Sequence, residues 1–144
     1  MAPRPTEDLV RLTDTARRFV HALSTHRSRL PAPLSEVPER GLGEACELLA
    51  QWLVHRGFAD VTIVSGRAGR PSRAHCWLEA AGFVVDIAPR QVDPEGPSIV
   101  VLDLAHFRPD GEVRRRRPHR AGHPRLRWLT EACAVLAPEL IDPM

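Results

Sequence analysis

The sequence contains no lysine, no asparagine and no tyrosine. Each absence removes a chemistry: no Schiff-base nucleophile, no Cys-His-Asn triad and no phenolic acid. All 20 basic side chains are therefore arginine, a bias that fits GC-rich coding. Long apolar runs are missing as well. No stretch of about 18 apolar residues is present to span a bilayer, and the opening MAPRPTEDLV lacks the basic start and apolar run of a secretory signal. The default expectation is a cytoplasmic protein without a membrane span, with export by a route that uses no cleaved signal left open. Cysteine occurs only at Cys46, Cys76 and Cys133, an odd number without paired spacing, which points to free thiols. Gly66 and Gly69 form no phosphate-binding fingerprint, because no helix opens after them.

What is present reads as one folded domain. A chain of 144 residues is long enough for one core and short for two, and 43% hydrophobic with 26% charged residues is ordinary for a globular protein. The net charge of +2 implies no polyanionic partner for the whole chain. Between 6 and 28, Leu9, Leu12, Ala16, Phe19, Val20 and Leu23 follow the spacing of an amphipathic helix, with Thr6 as N-cap. The run LPAPLSEVPERG holds three prolines between Pro31 and Pro38 and reads as an extended connector.

A second helix is expected from about Gly43 to Arg56, with Leu42, Cys46, Leu49 and Leu53 as its stripe and Gly57 as its C-terminal cap. A strand is expected over Val61 to Val64, then a loop, then a hairpin over 74–88. Alternation sorts Cys76, Leu78, Phe83, Val85 and Ile87 onto one apolar face and His75, Trp77, Glu79, Val84 and Asp86 onto the other. Pairing Glu79 with Gly82 keeps these sets apart and sets His75 opposite Asp86. The continuous run from Ser98 to Leu104 reads as a central strand, and Arg114 to Arg117 as part of a loop. Leu126, Leu129, Cys133 and Leu136 make a final helical stripe that ends before Pro138. The fold class is α+β: a Cys-bearing helix packed on a small antiparallel sheet, with an N-terminal and a C-terminal amphipathic helix.

Acyl transfer at a thiol needs a nucleophile, a base to take its proton and an acidic group to orient that base. Cys46 supplies the thiol, in the first turn of its helix, where the macrodipole lowers a thiol pKa and free amides can hold an oxyanion. His75 is the base and Asp86 its partner across the hairpin, at roughly 5 Å between Cβ atoms. In order and in local pattern, GEACELLAQWLVHRGFADVTIVSG followed by HCWLEAAGFVVDIAPRQVD resembles the transglutaminase-like (papain-fold) cysteine protease and amidase superfamily. There a Cys-headed helix precedes an H-x-W-hydrophobic-E strand and a G-x-x-hydrophobic-D strand.

The resemblance spans residues 43–93. It implies a Cys46, His75 and Asp86 catalytic triad, with Trp77 and Glu79 as the supporting signature beside the histidine. It also implies a single transglutaminase-like domain over 1–144, made of the N-terminal helix at 6–28, a core at 41–104, and a basic loop and C-terminal helix at 105–144. The implied activity is peptide or amide hydrolysis, glutamine deamidation or transamidation on a peptide or protein substrate, without a cofactor.

Other readings stand beside this one. Cys46 lies on an apolar stripe and fits a core thiol, as do Cys133 and Cys76, which alternation turns away from His75. His119 and His123 have a zinc-like spacing but no second pair of ligands, so no metal is expected. The segment from Arg108 to Arg127 holds eight arginines. It suggests a non-catalytic binding module that engages an acidic protein through Arg114, Arg115, Arg116 and Arg117; with few aromatics near them, Trp128 among these, nucleic acid is disfavoured. A third reading is a leader-peptide maturation protease.

Overall fold

A computed structural model describes residues 5–69, 71–109, 111–119 and 129–140. Helix α1 spans Pro5–Thr25, α2 Leu42–His55 and α3 Leu129–Leu140; strands β1 to β5 are Val61–Ala68, Arg73–Ala80, Phe83–Asp86, Val100–Asp103 and Gly111–Pro118. The strands form one antiparallel sheet in the order β4-β3-β2-β1-β5. The α+β class read from the sequence is the observed one. No helix among the described residues is long and apolar enough to cross a membrane.

Helices α1 and α2 cover one face of the sheet, and α3 packs on both of them. The α1 stripe is the expected one, with Leu12, Ala16 and Phe19 fully buried. In α2 the stripe of Leu42, Cys46, Leu49 and Leu53 meets Ile63, Cys76, Leu78 and Val85 from the sheet. Burying this surface is the main force that holds the helix on the strands. The helix stops where expected. Gly57 takes φ 100°, donating to the carbonyl of Val54, and the next amide, of Phe58, reaches back to that of Leu53. These two bonds are the paired closure of a Schellman motif.

The hairpin register differs from the expected one by two residues. Glu79 pairs with Val84 and Ala80 with Phe83. The turn is therefore Ala81-Gly82, at φ 53° and φ 82°. A two-residue hairpin loop that follows the strand twist needs positive φ at both positions, so Gly82 is drawn into the turn and cannot pair in the strand. A shift of two preserves the faces. Cys76, Leu78 and Val85 face the helices, while Trp77 and Val84 join Val64 in a second cluster on the opposite face, covered by Phe107 and Val113.

Five other expectations are corrected. The 98–104 run is an edge strand, with Leu102 39% exposed. Arg114 to Arg117 lie in β5, the opposite edge strand, paired with β1. Arginines and a terminal proline suit an edge, because charge there discourages further strand pairing. The helix expected over 6–28 ends at Thr25, with Arg27–Arg29 a separate one-turn 3₁₀ segment, and the proline-rich connector is not extended throughout but folds into another at Leu34–Glu36. Helix α3 continues through Pro138 to Leu140, a residue buried in the core whose carbonyl receives the Arg56 guanidinium. His123, Leu126 and Arg127 lie outside the described residues.

Candidate functional site

Strand β2 carries His75, and β3 brings Asp86 beside it. The register that pairs Leu78 with Val85 runs on to set Trp77 level with Asp86, so His75 reaches Asp86 along a diagonal. The contact is made nonetheless: His75 Nε2 lies 2.8 Å from Asp86 Oδ2, with the side chains 2% and 8% exposed. The other carboxylate oxygen accepts the amide N–H of Ala88 at 2.9 Å. A buried carboxylate needs such partners, and Asp86 has one on each oxygen.

The second ring nitrogen of His75 is also engaged. Nδ1 lies 2.9 Å from Oε1 of Gln91, whose amide nitrogen donates to the carbonyl of Pro38 at 2.6 Å. Burial pushes the imidazole towards its neutral form, but the hydrogen bond and charge of Asp86, with Gln91 behind them, outweigh it, and the pKa is raised. Trp77 packs against the ring, with centroids 5.8 Å apart, and rests in turn on Phe107 at 5.5 Å.

Cys46 is placed differently. Because α2 begins at Leu42, Cys46 is its fifth residue, beyond the first turn in which the dipole and free amides act. The side chain is buried on the helix stripe, in the same core cluster as Cys76 of β2. The neighbouring Cys76 thiol, burial, and the charge of Asp86 push its pKa well above the ordinary thiol value; Arg117 pulls the other way. With both nitrogens of His75 taken by Asp86 and Gln91, no hydrogen bond joins Cys46 to His75. Of the three triad residues the structure thus joins the histidine to the aspartate and keeps the thiol as a separate, protonated group.

A cleft of about 900 Å³ lies over this region. His75, Cys76 and Gln91 line one side of it, residues 41–44 at the start of α2 another, and Arg115 and Arg117 of β5 a third. The first turn of α2 has no side-chain cap. Gly41 holds φ 78° there, and a side chain on it would collide with the carbonyl of Pro33.

The four arginines divide by strand alternation. Arg114 pairs with Glu112 at 3.5 Å and Arg116 with Glu79, whereas Arg117 turns to the cleft and pairs with Glu47. Glu47 also receives His119 Nδ1 at 3.1 Å, while His119 Nε2 meets Gln51 Oε1 at 2.9 Å. Burial and the nearby Arg117 charge lower the His119 pKa. Groups of three or more metal-ligating side chains are absent among the described residues. Glu79 sits in the Arg116 ion pair and lies across the strand from Thr62 and Val84.

Sequence reasoning missed Gln91 and the Glu47–Arg117–His119 group. No local pattern marks Gln91; only the fold shows that a one-turn segment after β3 carries it back to His75. No family model, curated protein or solved structure matches this chain.

Proposed function

We propose that the chain is a cysteine-dependent acyl-group enzyme acting on a peptide or protein amide, with Cys46 as nucleophile, His75 as acid–base group and Asp86 as its partner. The observation that carries the reading is the buried His75–Asp86 pair, 2.8 Å apart at the wall of a cleft that begins at the uncapped end of α2. A raised imidazole pKa suits a group that must hold a proton and then release it near neutral pH.

In this reading Cys46 gives its proton to solvent, and its Sγ attacks the acyl carbon beside the His75 imidazolium. Asp86 stabilises the imidazolium, and the first-turn amides of α2 hold the developing oxyanion. The C–N bond breaks as Nδ1 of His75 protonates the leaving nitrogen. Water or an amine then releases the thioester and restores the thiol. For the attack, Cys46 must come out of the core, where it is 1% exposed, so a local opening between α2 and β2 precedes chemistry. The choice among hydrolysis, deamidation and transamidation rests with the cleft and the acceptor that enters it. Loss of turnover in Cys46→Ala, on any acyl substrate the wild type accepts, tests the reading; full turnover in that variant overturns it.

One observation favours a second reading. A protonated thiol held against Cys76 describes a core residue as well as a resting nucleophile. On that reading the domain binds an acidic partner without catalysis, through Arg115 at the cleft and the exposed Arg114 and Arg116 of β5. Binding that weakens with salt, survives Cys46→Ala and falls when these arginines are neutralised distinguishes it.

A further inference from the structure

Gln91 is the residue on which His75 depends most closely after Asp86, and its orientation is fixed by chemistry. The Pro38 carbonyl can only accept a hydrogen bond, so the group 2.6 Å from it must be the amide nitrogen of Gln91. The amide oxygen is thereby turned to His75 Nδ1, 2.9 Å away. An amide oxygen donates nothing, so the ring must supply the N–H. At the opposite edge of the ring stands a carboxylate oxygen of Asp86, which again accepts. A neutral imidazole has one N–H and would turn a lone pair towards one of these oxygens. Only the doubly protonated ring satisfies both contacts.

We propose that Gln91 is a positioning residue that fixes a proton on Nδ1 of His75, keeping the ring as an imidazolium until a substrate group replaces the Gln91 oxygen. Only this last step rests on the acyl-transfer reading; the resting protonation state does not. The Nδ1 proton is the one aimed at the cleft. A leaving nitrogen that displaces the Gln91 oxygen takes it as the C–N bond breaks. The bonding pair goes to nitrogen, and the neutral ring keeps its Nε2–H on Asp86. Nδ1 is then free to take a proton from the water or amine that releases the thioester.

The remaining charges around the ring do not supply this contact. Besides Asp86 and the Cys76 thiol, the cleft carries Glu39 and Arg40 from the connector, Glu44 and Glu47 from α2, and Arg115 and Arg117 from β5. Glu47 is held by Arg117 and His119, and Arg40 pairs with Glu36 at 3.9 Å. Among the described residues Gln91 alone bridges the ring to the connector.

The test is a titration of the full chain with ¹⁵N-labelled histidine, followed by long-range proton–nitrogen correlation, with the His75 signals assigned by their absence in His75→Gln. The wild type is expected to show both ring nitrogens protonated through neutral pH. In Gln91→Met, which removes the acceptor at similar size, the Nδ1 proton should be lost at lower pH than in the wild type. In Gln91→Glu, which keeps an acceptor and adds charge, it should persist to higher pH. A wild-type ring with an unprotonated nitrogen at neutral pH overturns the proposal, as does a Gln91→Met titration that matches the wild type. The wild-type spectrum decides the matter even if neither variant folds. Cys46→Ala should leave the His75 titration in place whatever it does to turnover, so failure here and failure of the enzymatic reading are separable.

Discussion

His75 and Asp86 meet at 2.8 Å along a diagonal of the β2–β3 hairpin, not across a rung of it. The contact survives the two-residue change of register because a step of two leaves both side chains on the same face. It is buried, and a buried charge stripped of its partner is costly. Asp86→Asn should destabilise the fold by about 3 kcal/mol. Because the His75 pKa is raised, the stabilisation is full below the ordinary histidine value of about 6.5 and is lost as pH rises through the folded value. The penalty of Asp86→Asn, measured by urea unfolding, should therefore shrink from mildly acidic to alkaline pH.

His119 carries the opposite sign. Among the described residues no carbonyl fixes the Gln51 amide as Pro38 fixes that of Gln91, so its nitrogen is able to turn to the ring. The His119 pKa is lowered, and the fold favours the neutral ring while the unfolded chain takes up a proton near pH 6.5. Its contribution is present above that value and fades as pH falls through the lower folded value. His119→Gln should lose less stability than the wild type between about pH 7 and pH 5, seen as a flatter dependence of Tm on pH.

The two thiols with resolved shifts should differ in reactivity. Cys133 is half-buried and its pKa is raised by burial alone. Cys46 is fully buried, and Cys76 raises it further. Under native conditions iodoacetamide should modify Cys133 before Cys46. Peptide mapping after a timed reaction reads the order, and prior labelling of Cys46 would contradict its placement.

The β2–β3 turn offers a stabilising change. Ala81 holds φ 53°, a left-handed conformation that disfavours alanine, and Gly82 follows it. Ala81→Asn would create Asn-Gly, the preferred pair for this turn, and should add about 1 kcal/mol. An unchanged urea midpoint would argue against the turn geometry.

The parts of this molecule that were legible in the sequence are those governed by local periodicity. The stripes of α1 and α2, the Gly57 cap and the division of the hairpin into two faces all follow from spacing that a chain cannot hide. The register was not, because Ala80-Ala81 and Ala81-Gly82 are both plausible turns until the φ requirement at Gly82 is imposed. The Arg114 to Arg117 run concealed β5, since an edge strand needs no apolar alternation once β1 supplies its hydrogen bonds. The His75–Asp86 contact was legible from the shared face. The placing of Cys46 beside Cys76 and the Gln91 bridge were not, because each joins residues through the packing of separate elements.

The central claim is that acyl transfer occurs at Cys46 with help from His75. Intact-mass analysis of the full chain after exposure to an activated acyl ester tests it most directly. The account predicts an acyl adduct mapped to Cys46, beside any at the more accessible Cys133, that is absent in Cys46→Ala and formed at least about tenfold more slowly in His75→Gln. Equal acylation of the wild type and Cys46→Ala, or a rate indifferent to His75→Gln, would contradict it.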